Sequence, residues 1–282
     1  MAGRPRRNAP ENDTTATPAD VASVRSVRRA LAILRAFGPA DRSLRLGEIA
    51  RRADLDKATA RRLLCTLIGE GAIEQHAASK DYALALGVLA LSAGPTPLDA
   101  LRRRAQPVLA GIAEATSATA FLAVLYEGEA LCVETAVSDR PAATPVTVGA
   151  RLKLHACAVP RVLMAFLPLE ARMTMLSGPL PAVSEATPTD PFHLSSMLET
   201  IRQRGWESGN GEVMAGVASL GLPVRGSGGE VVAALGITGP QADVLDGEAP
   251  RHLDLLRGRV RDLERRIGLM QLAPNGTVRR AG

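Results

Sequence analysis

Residues 44–73, LRLGEIARRADLDKATARRLLCTLIGEGAI, decide how the first third of this 282-residue chain folds. Leu46, Ile49, Ala50 and Ala53 recur at three- and four-residue steps and share one helical face. A second stripe, Ala60, Leu63, Leu64, Leu67 and Ile68, follows after Ala53-Asp54-Leu55-Asp56. That break is too short for two helices to lie side by side, and it suits a steep crossing, the helix-turn-helix geometry. Asp56 is placed to cap the second helix, its carboxylate accepting the free N–H groups of the first turn. The stripe leaves Ala58, Arg61, Arg62, Cys65 and Thr66 facing outward, with Lys57 and Thr59 in the first turn. A short helix with an apolar back and a cationic front fits a DNA major groove, although an Arg-rich face also occurs as a merely solvated one.

The flanks complete a unit. Gly69-Glu70-Gly71 stops the second helix. Residues 72–76 and 82–84 alternate as strands around a tip near Ser79 and Lys80, which makes a hairpin wing. Upstream, Val24, Val27, Leu31, Leu34 and Phe37 form one more helical stripe, closed by Gly38-Pro39. Charge follows the same division. Residues 1–90 hold 15 Lys+Arg and 10 Asp+Glu, whereas 91–282 hold 19 of each, so the whole net charge of +5 falls where a polyanion would bind.

The rest of the chain reads as one mixed domain. A helix is expected over 98–115, kinked or broken at Pro107, with Arg102, Arg103 and Arg104 solvated. This helix is a candidate for pairing two chains. Strands follow at Thr119–Tyr126 and Ala130–Val137 around a Glu127-Gly128-Glu129 turn, then helices at about 158–167 and 193–204. Two more strands, Ala218–Val224 and Val231–Ile237, flank the Arg225–Glu230 turn, and Leu253, Leu256, Val260, Leu263 and Ile267 mark a last amphipathic helix. The expected domains are a disordered basic tail (1–20), a winged helix-turn-helix (21–86), a linker and helix (87–115), a mixed domain able to hold a small ligand (116–270) and a tail (271–282). In the first tail, Gly3-Arg4-Pro5-Arg6 is a short match to a minor-groove hook.

Other chemistries find little support. Cys65, Cys132 and Cys157 form no CxxC pair, as expected in a reducing cytoplasm. No apolar run reaches the ~20 residues of a membrane helix, and no secretory signal is read. His76, His155, His193 and His252 make no metal-ligand spacing, and no phosphate loop or GxSxG elbow occurs. No cofactor, metal or catalytic residue is therefore expected, and the chain is read as not an enzyme. His155 and Cys157 are two residues apart, which does not orient a thiolate against an imidazole. The alternatives are a small-acyl hydrolase with an accessory basic domain and an adaptor whose winged unit no longer binds DNA.

Four ordered motifs resemble the IclR family of bacterial transcriptional regulators over about residues 22–270. They are SVRRALAIL, LGEIARRADLDKATARRLLCTL, VGARLKLHACAVPRVLMAFLP and IRQRGWESGNGEVMAGVASLGLPVRGSGGEVVAALGITGP. The resemblance implies an α+β chain: a winged helix-turn-helix, a linker helix and a GAF-like α/β effector domain with an antiparallel sheet. It further implies a homodimer or homotetramer whose affinity for operator DNA changes with a small-molecule effector. Arg29, Lys57, Thr59, Arg61, Arg62, Thr66 and Lys80 are then the DNA-contacting candidates, and His155, Cys157, Asn210, Glu212, Ser219, Gly236 and Thr238 the effector-pocket candidates. The chain departs from the family at Pro160-Arg161, where Gly-Lys is usual, and at Gly236-Ile237-Thr238-Gly239-Pro240, which keeps one of two hydroxyls. The helix near 158 should begin close to Pro160. A less polar pocket predicts a larger or more apolar carboxylate than a small oxoacid.

Overall fold

Helix α1 (Arg25–Arg35) buries Ile33 and Ala36, while Val24, Val27 and Leu31 are 60%, 56% and 46% exposed. The expected stripe is thus split: Val24, Val27 and Leu31 lie outward, whereas Leu34 and Phe37 pack against the core. Ile33, with Leu34 and Phe37 at the C-terminal end, meets the rest of the unit, and the apolar residues of the first turns do not. The computed structural model describes residues 24–38, 41–92, 98–137, 146–247 and 249–268. The two tails, the Gly94–Pro97 break and Pro39 lie outside the described residues. The chain divides into two units, residues 1–94 and 95–282.

In the first unit α2 (Leu46–Arg52) and α3 (Lys57–Gly69) are joined through Asp54, which takes a positive φ of 52°. Strands β1 (Ile73–Gln75) and β2 (Tyr82–Leu84) pair antiparallel, with Ile73 opposite Leu84. Leu44 adds a bridge to Tyr82 through two 2.8 Å backbone bonds. Ile33, Leu44, Ile49, Leu64, Ile73 and Tyr82 form the core. Helix α4 (Leu86–Ser92), unforeseen in the sequence, buries none of its residues. Residues 87–115, read as a linker and helix, therefore fall in both units.

The second unit opens with α5 (Asp99–Thr116), which runs through Pro107 as a single helix. Arg102, expected in solvent, is half-buried and donates to Glu134 at 3.2 Å. Strands β3 (Thr119–Tyr126), β4 (Glu129–Ala136) and β5 (Arg151–Leu152) follow. Next come α6 (Ala158–Ala165), α7 (Leu169–Leu176) and α8 (Pro191–Arg204). The chain continues through β6 (Glu207–Asn210), β7 (Val217–Arg225), β8 (Val231–Pro240) and α9 (Gln241–Val244). It closes with β9 (Leu245–Asp246), β10 (Ala249–Pro250) and α10 (Leu253–Ile267). Six strands form one antiparallel sheet in the order β5-β4-β3-β8-β7-β6.

Alternation assigns the two faces. Ala120, Leu122 and Val124 of β3 pack with α5 and α10, whose Leu101, Leu109, Ile112, Leu256 and Leu263 are buried. Phe121 and Ala123 point the other way, into a core shared with Val162, Leu194 and Leu198 of α6 and α8. Helix α6 lies unusually close to the sheet. A Cβ on Gly236 would fall 2.3 Å from Val159 Cγ2, and one on its strand partner Gly221 would fall 2.8 Å from Val159 Cα. Among the described residues no helix is long and apolar enough to cross a membrane.

Candidate nucleic-acid interface and ligand cavity

The cap of α3 is built as its sequence suggests. Asp56 Oδ1 accepts from the Thr59 amide at 2.8 Å. That bond, with help from the Thr59 hydroxyl, holds the Asp56 carboxyl below its ordinary value. A depressed carboxylate stabilises the fold above its unfolded pKa, and the contribution is lost as pH falls through the folded one. Asp56→Ala should therefore lower the thermal midpoint at pH 7 with a shrinking effect in acid, while Asp56→Ser keeps most of the wild-type value. Melting curves of the three proteins from pH 7 down to pH 3 check this, and an alanine variant that melts with wild type at pH 7 would remove the cap from the account.

Charge is distributed unevenly between the two helices. On α2, Arg51 and Arg52 both bond Glu48, at 2.7 and 2.6 Å, and Arg52 also binds Asp41 and the Ala36 carbonyl. The two guanidiniums hold Glu48 at about 2. On α3, Lys57, Arg61, Arg62, Cys65 and Thr66 are exposed and Thr59 is half-buried. Among the described residues Lys57, Arg61 and Arg62 make no ion pair. Thr66 bonds only back to the Arg62 carbonyl, at 3.3 Å. Lys80 is exposed at the hairpin tip with φ 61°, its carbonyl held by Gln75 Nε2 at 2.9 Å. Arg29 is half-buried on α1.

The second unit holds a cavity of about 480 Å³, mouth included, between the N-terminus of α6, the sheet and the 211–216 loop. Its walls are Phe121, Val146, Leu152, Cys157, Gly209, Glu212, Val213, Val217, Ala218, Ser219 and Thr238. Four of the seven pocket candidates thus stand on the wall: Cys157, Glu212, Ser219 and Thr238. The other three do not. His155 lines a separate cleft of about 850 Å³, where its Nε2 meets the Pro181 carbonyl at 3.0 Å. Asn210 is exposed at the end of β6, and Gly236 serves the close approach of α6.

Strand register lays a polar row along the floor. Thr119 faces Thr238, Thr238 faces Ser219, and Ser219 faces Gly209, so the four share one side of the sheet. Ser219 Oγ accepts from the Ala158 amide at 3.3 Å, which leaves its own O–H free to donate. Thr238 Oγ1 donates to the Ala218 carbonyl at 3.2 Å and keeps its lone pairs. The buried Thr119 hydroxyl has no partner among the described residues. Burial pushes the Cys157 thiol up to about 12, so it stays protonated.

Sequence reasoning missed the group that holds Glu212. Arg161, fully buried, donates through Nη2 to Glu207 Oε1 and to Glu212 Oε2, each at 2.9 Å, with Glu212 Oε1 in ion contact at 2.7 Å, and through Nη1 to the His155 carbonyl at 3.1 Å. Arg204 binds the other Glu207 oxygen while lying 3.8 Å over the Trp206 ring. Burial acts to lower the Arg161 pKa, but the Glu212 and Glu207 carboxylates outweigh it and hold it above its ordinary value. Burial pushes Glu212 up, against the pull of Arg161. A side chain on Gly209 would displace Glu212, since a Cβ there would sit 1.8 Å from Oε2. The loop is tied from behind, where Ser184 Oγ donates to the Gly211 carbonyl at 2.7 Å and Thr187 Oγ1 to the Glu212 carbonyl at 2.6 Å.

Comparison with known proteins separates the same two units. The family described as bacterial transcriptional regulator IclR C-terminal matches residues 98–265, and the IclR helix-turn-helix domain matches residues 26–77. A glycerol operon regulatory protein of Streptomyces griseus is 33% identical over 81% of this chain and 89% of its own length. The crystal structure of an IclR homolog from Microbacterium hydrocarbonoxydans, complexed with 4-hydroxybenzoate, has a TM-score of 0.74 at 26% identity and covers 86% of this chain and 98% of that one. A transcriptional regulator from Rhodococcus sp. RHA1 has a TM-score of 0.70 at 29% identity, covering 87% and 98%.

Proposed function

This chain belongs to the IclR family of bacterial transcriptional regulators, and from that premise we propose how its own residues bind DNA and effector. It is a DNA-binding regulator that couples a helix-turn-helix unit to a C-terminal ligand-binding unit. Arg61 and Arg62 reach base edges or phosphates in the major groove, with Lys57, Thr59 and Thr66 holding register. Arg29 grips the backbone and Lys80 adds a phosphate contact from the wing. One observation supports this most: the α2 arginines are engaged by Glu48 and Asp41, while the α3 cations are exposed without an internal counterion among the described residues. Their counterion is external, and a duplex supplies it. Genomic footprinting of the full chain should find discrete sites, and a protein that retards no promoter fragment of its own genome at low salt would end this reading.

The effector occupies the cavity beside Glu212, and it is an organic acid with an apolar body. The mostly apolar wall supports that, as does the 4-hydroxybenzoate in the Microbacterium homolog. The chain senses the molecule and does not turn it over: the Cys157 thiol stays protonated, and His155 opens onto another cleft. It works in the cytoplasm, beside its operator.

A second copy of the chain covers the outer apolar faces. Val24, Val27 and Leu31 on α1 and Leu86, Leu89 and Leu91 on α4 (the last three 82%, 67% and 79% exposed) are too many to leave in water on so small a unit. A two-fold pair also presents two recognition helices to two half-sites, and an effector that favours one arrangement changes their spacing. Leu86→Ser with Leu89→Ser should shift the sedimentation coefficient toward the monomer. A double variant that sediments as wild type would place the interface elsewhere.

A further inference from the structure

We propose that the cavity selects an effector carrying a hydroxyl or amine at the end remote from its acid group, with Glu212 accepting the hydrogen bond from that donor. This deepens, and rests on, the reading of the cavity as the effector site. Among the described residues no Lys, Arg or His stands on the wall, so no side-chain cation there pairs with a ligand carboxylate, and Glu212 repels one. Glu212 is the wall's strongest acceptor. Its partner is a single nitrogen, Arg161 Nη2, which donates to Oε2 at 2.9 Å and lies in ion contact with Oε1 at 2.7 Å. An ionised carboxylate offers about four lone-pair sites, so acceptor capacity remains on the cavity side.

Arg161 is the positioning residue. It is fully buried behind the wall and fixes the carboxylate over Gly209, where a side chain would not fit. Because Arg161 also holds Glu207, Glu212 cannot rotate away without leaving a buried cation less well paired. The acceptor is thus preorganised. A ligand hydroxyl meeting it gains a hydrogen bond to a charged group, whereas a ligand without one strips water from Glu212 and returns nothing. Away from Glu212 the floor changes sign. Ser219 accepts one bond and keeps its O–H to donate, and neighbouring strands are only about 4.8 Å apart. A one-ring acid therefore lies with its hydroxyl on Glu212 and its carboxylate toward the Ser219 O–H.

Calorimetry on the full-length protein with 4-hydroxybenzoate, benzoate and phenol as probes tests this. The hydroxylated acid should bind at least about tenfold tighter than benzoate. Glu212→Gln, which keeps the shape and an oxygen but loses the charge, should bring the two within about threefold. Phenol binding with benzoate rejected supports the donor contact at Glu212 and overturns the acid half of the proposal. Equal affinities for benzoate and 4-hydroxybenzoate in wild type overturn it, as does an unchanged ratio in Glu212→Gln. None of the three binding at millimolar concentration overturns it too. Retardation of an operator fragment by the same preparation reports the regulator reading separately, and needs no ligand.

Discussion

Arg62→Ala weakens operator binding by roughly 5- to 150-fold, the range expected when a bidentate base contact worth about 1–3 kcal/mol is removed. The side chain is exposed on the front of α3, behind which Ala60 and Leu64 are fully buried, so truncating it leaves the helix seated. If Arg62 reads a base edge as proposed, sequence preference at that base pair should also relax. Lys57→Ala should behave differently: on the proposed reading it loses a phosphate contact, so affinity should fall for all sequences alike and the dependence on salt should flatten by about one unit of log–log slope. Arg51→Ala is the control. Its guanidinium is already satisfied by Glu48 on α2, so its removal should leave operator affinity within about twofold of wild type. Fluorescence anisotropy on a footprinted operator at several salt concentrations reads all three. Wild-type affinity and specificity in Arg62→Ala would show that α3 does not read the groove through this residue.

The recognition helix is legible in the sequence because its signals are local. Cap, apolar back and glycine stop all fall within residues 56–71, and the buried pair Ala60 and Leu64 sits where the period puts it. Strands β3, β4, β7 and β8 are legible for a similar reason, being apolar runs bounded by Glu127-Gly128 and Gly226–Gly229 turns. What local pattern cannot say is which apolar face finds a partner. Helix α1 has one face on Ile33 and another on Val24, Val27 and Leu31, and the sequence weights them alike. Helix α4 buries nothing, so its leucines mark no interior. In the cavity, Ser219 and Thr238 follow from the family motifs, but Thr119 joins their row only through strand register. Phe121 likewise reaches the wall through alternation on a strand buried on both faces. Arg161 reads in sequence only as a cation replacing the family's usual lysine, because its carboxylates lie 46 and 51 residues along the chain.

That long-range group carries the largest expected effect on stability. Arg161→Met should destabilise the second unit by about 3–5 kcal/mol at pH 7, the usual result when one member of a buried ion pair is removed and the rest stay. Methionine fills most of the space, so the loss is electrostatic. Glu207 retains Arg204, but among the described residues Glu212 keeps no cation. The pH dependence follows from sign. Burial already raises the Glu212 pKa against the pull of Arg161, and without the arginine it rises further. A carboxyl whose folded pKa lies above its unfolded value contributes stability fully below the unfolded pKa of about 4.3 and loses it as pH rises through the folded one. The variant should therefore approach wild type in acid and fall behind through neutrality. Adding Glu212→Gln to Arg161→Met should recover much of the deficit at pH 7, since leaving a neutral amide in that wall costs far less than leaving a charge. Urea titrations of the two variants and wild type at pH 5 and pH 7.5 resolve the pattern. A deficit independent of pH, or one that Glu212→Gln fails to reduce, would mean that Arg161 stabilises the unit by packing and its bond to the His155 carbonyl, with Glu212 held by something else.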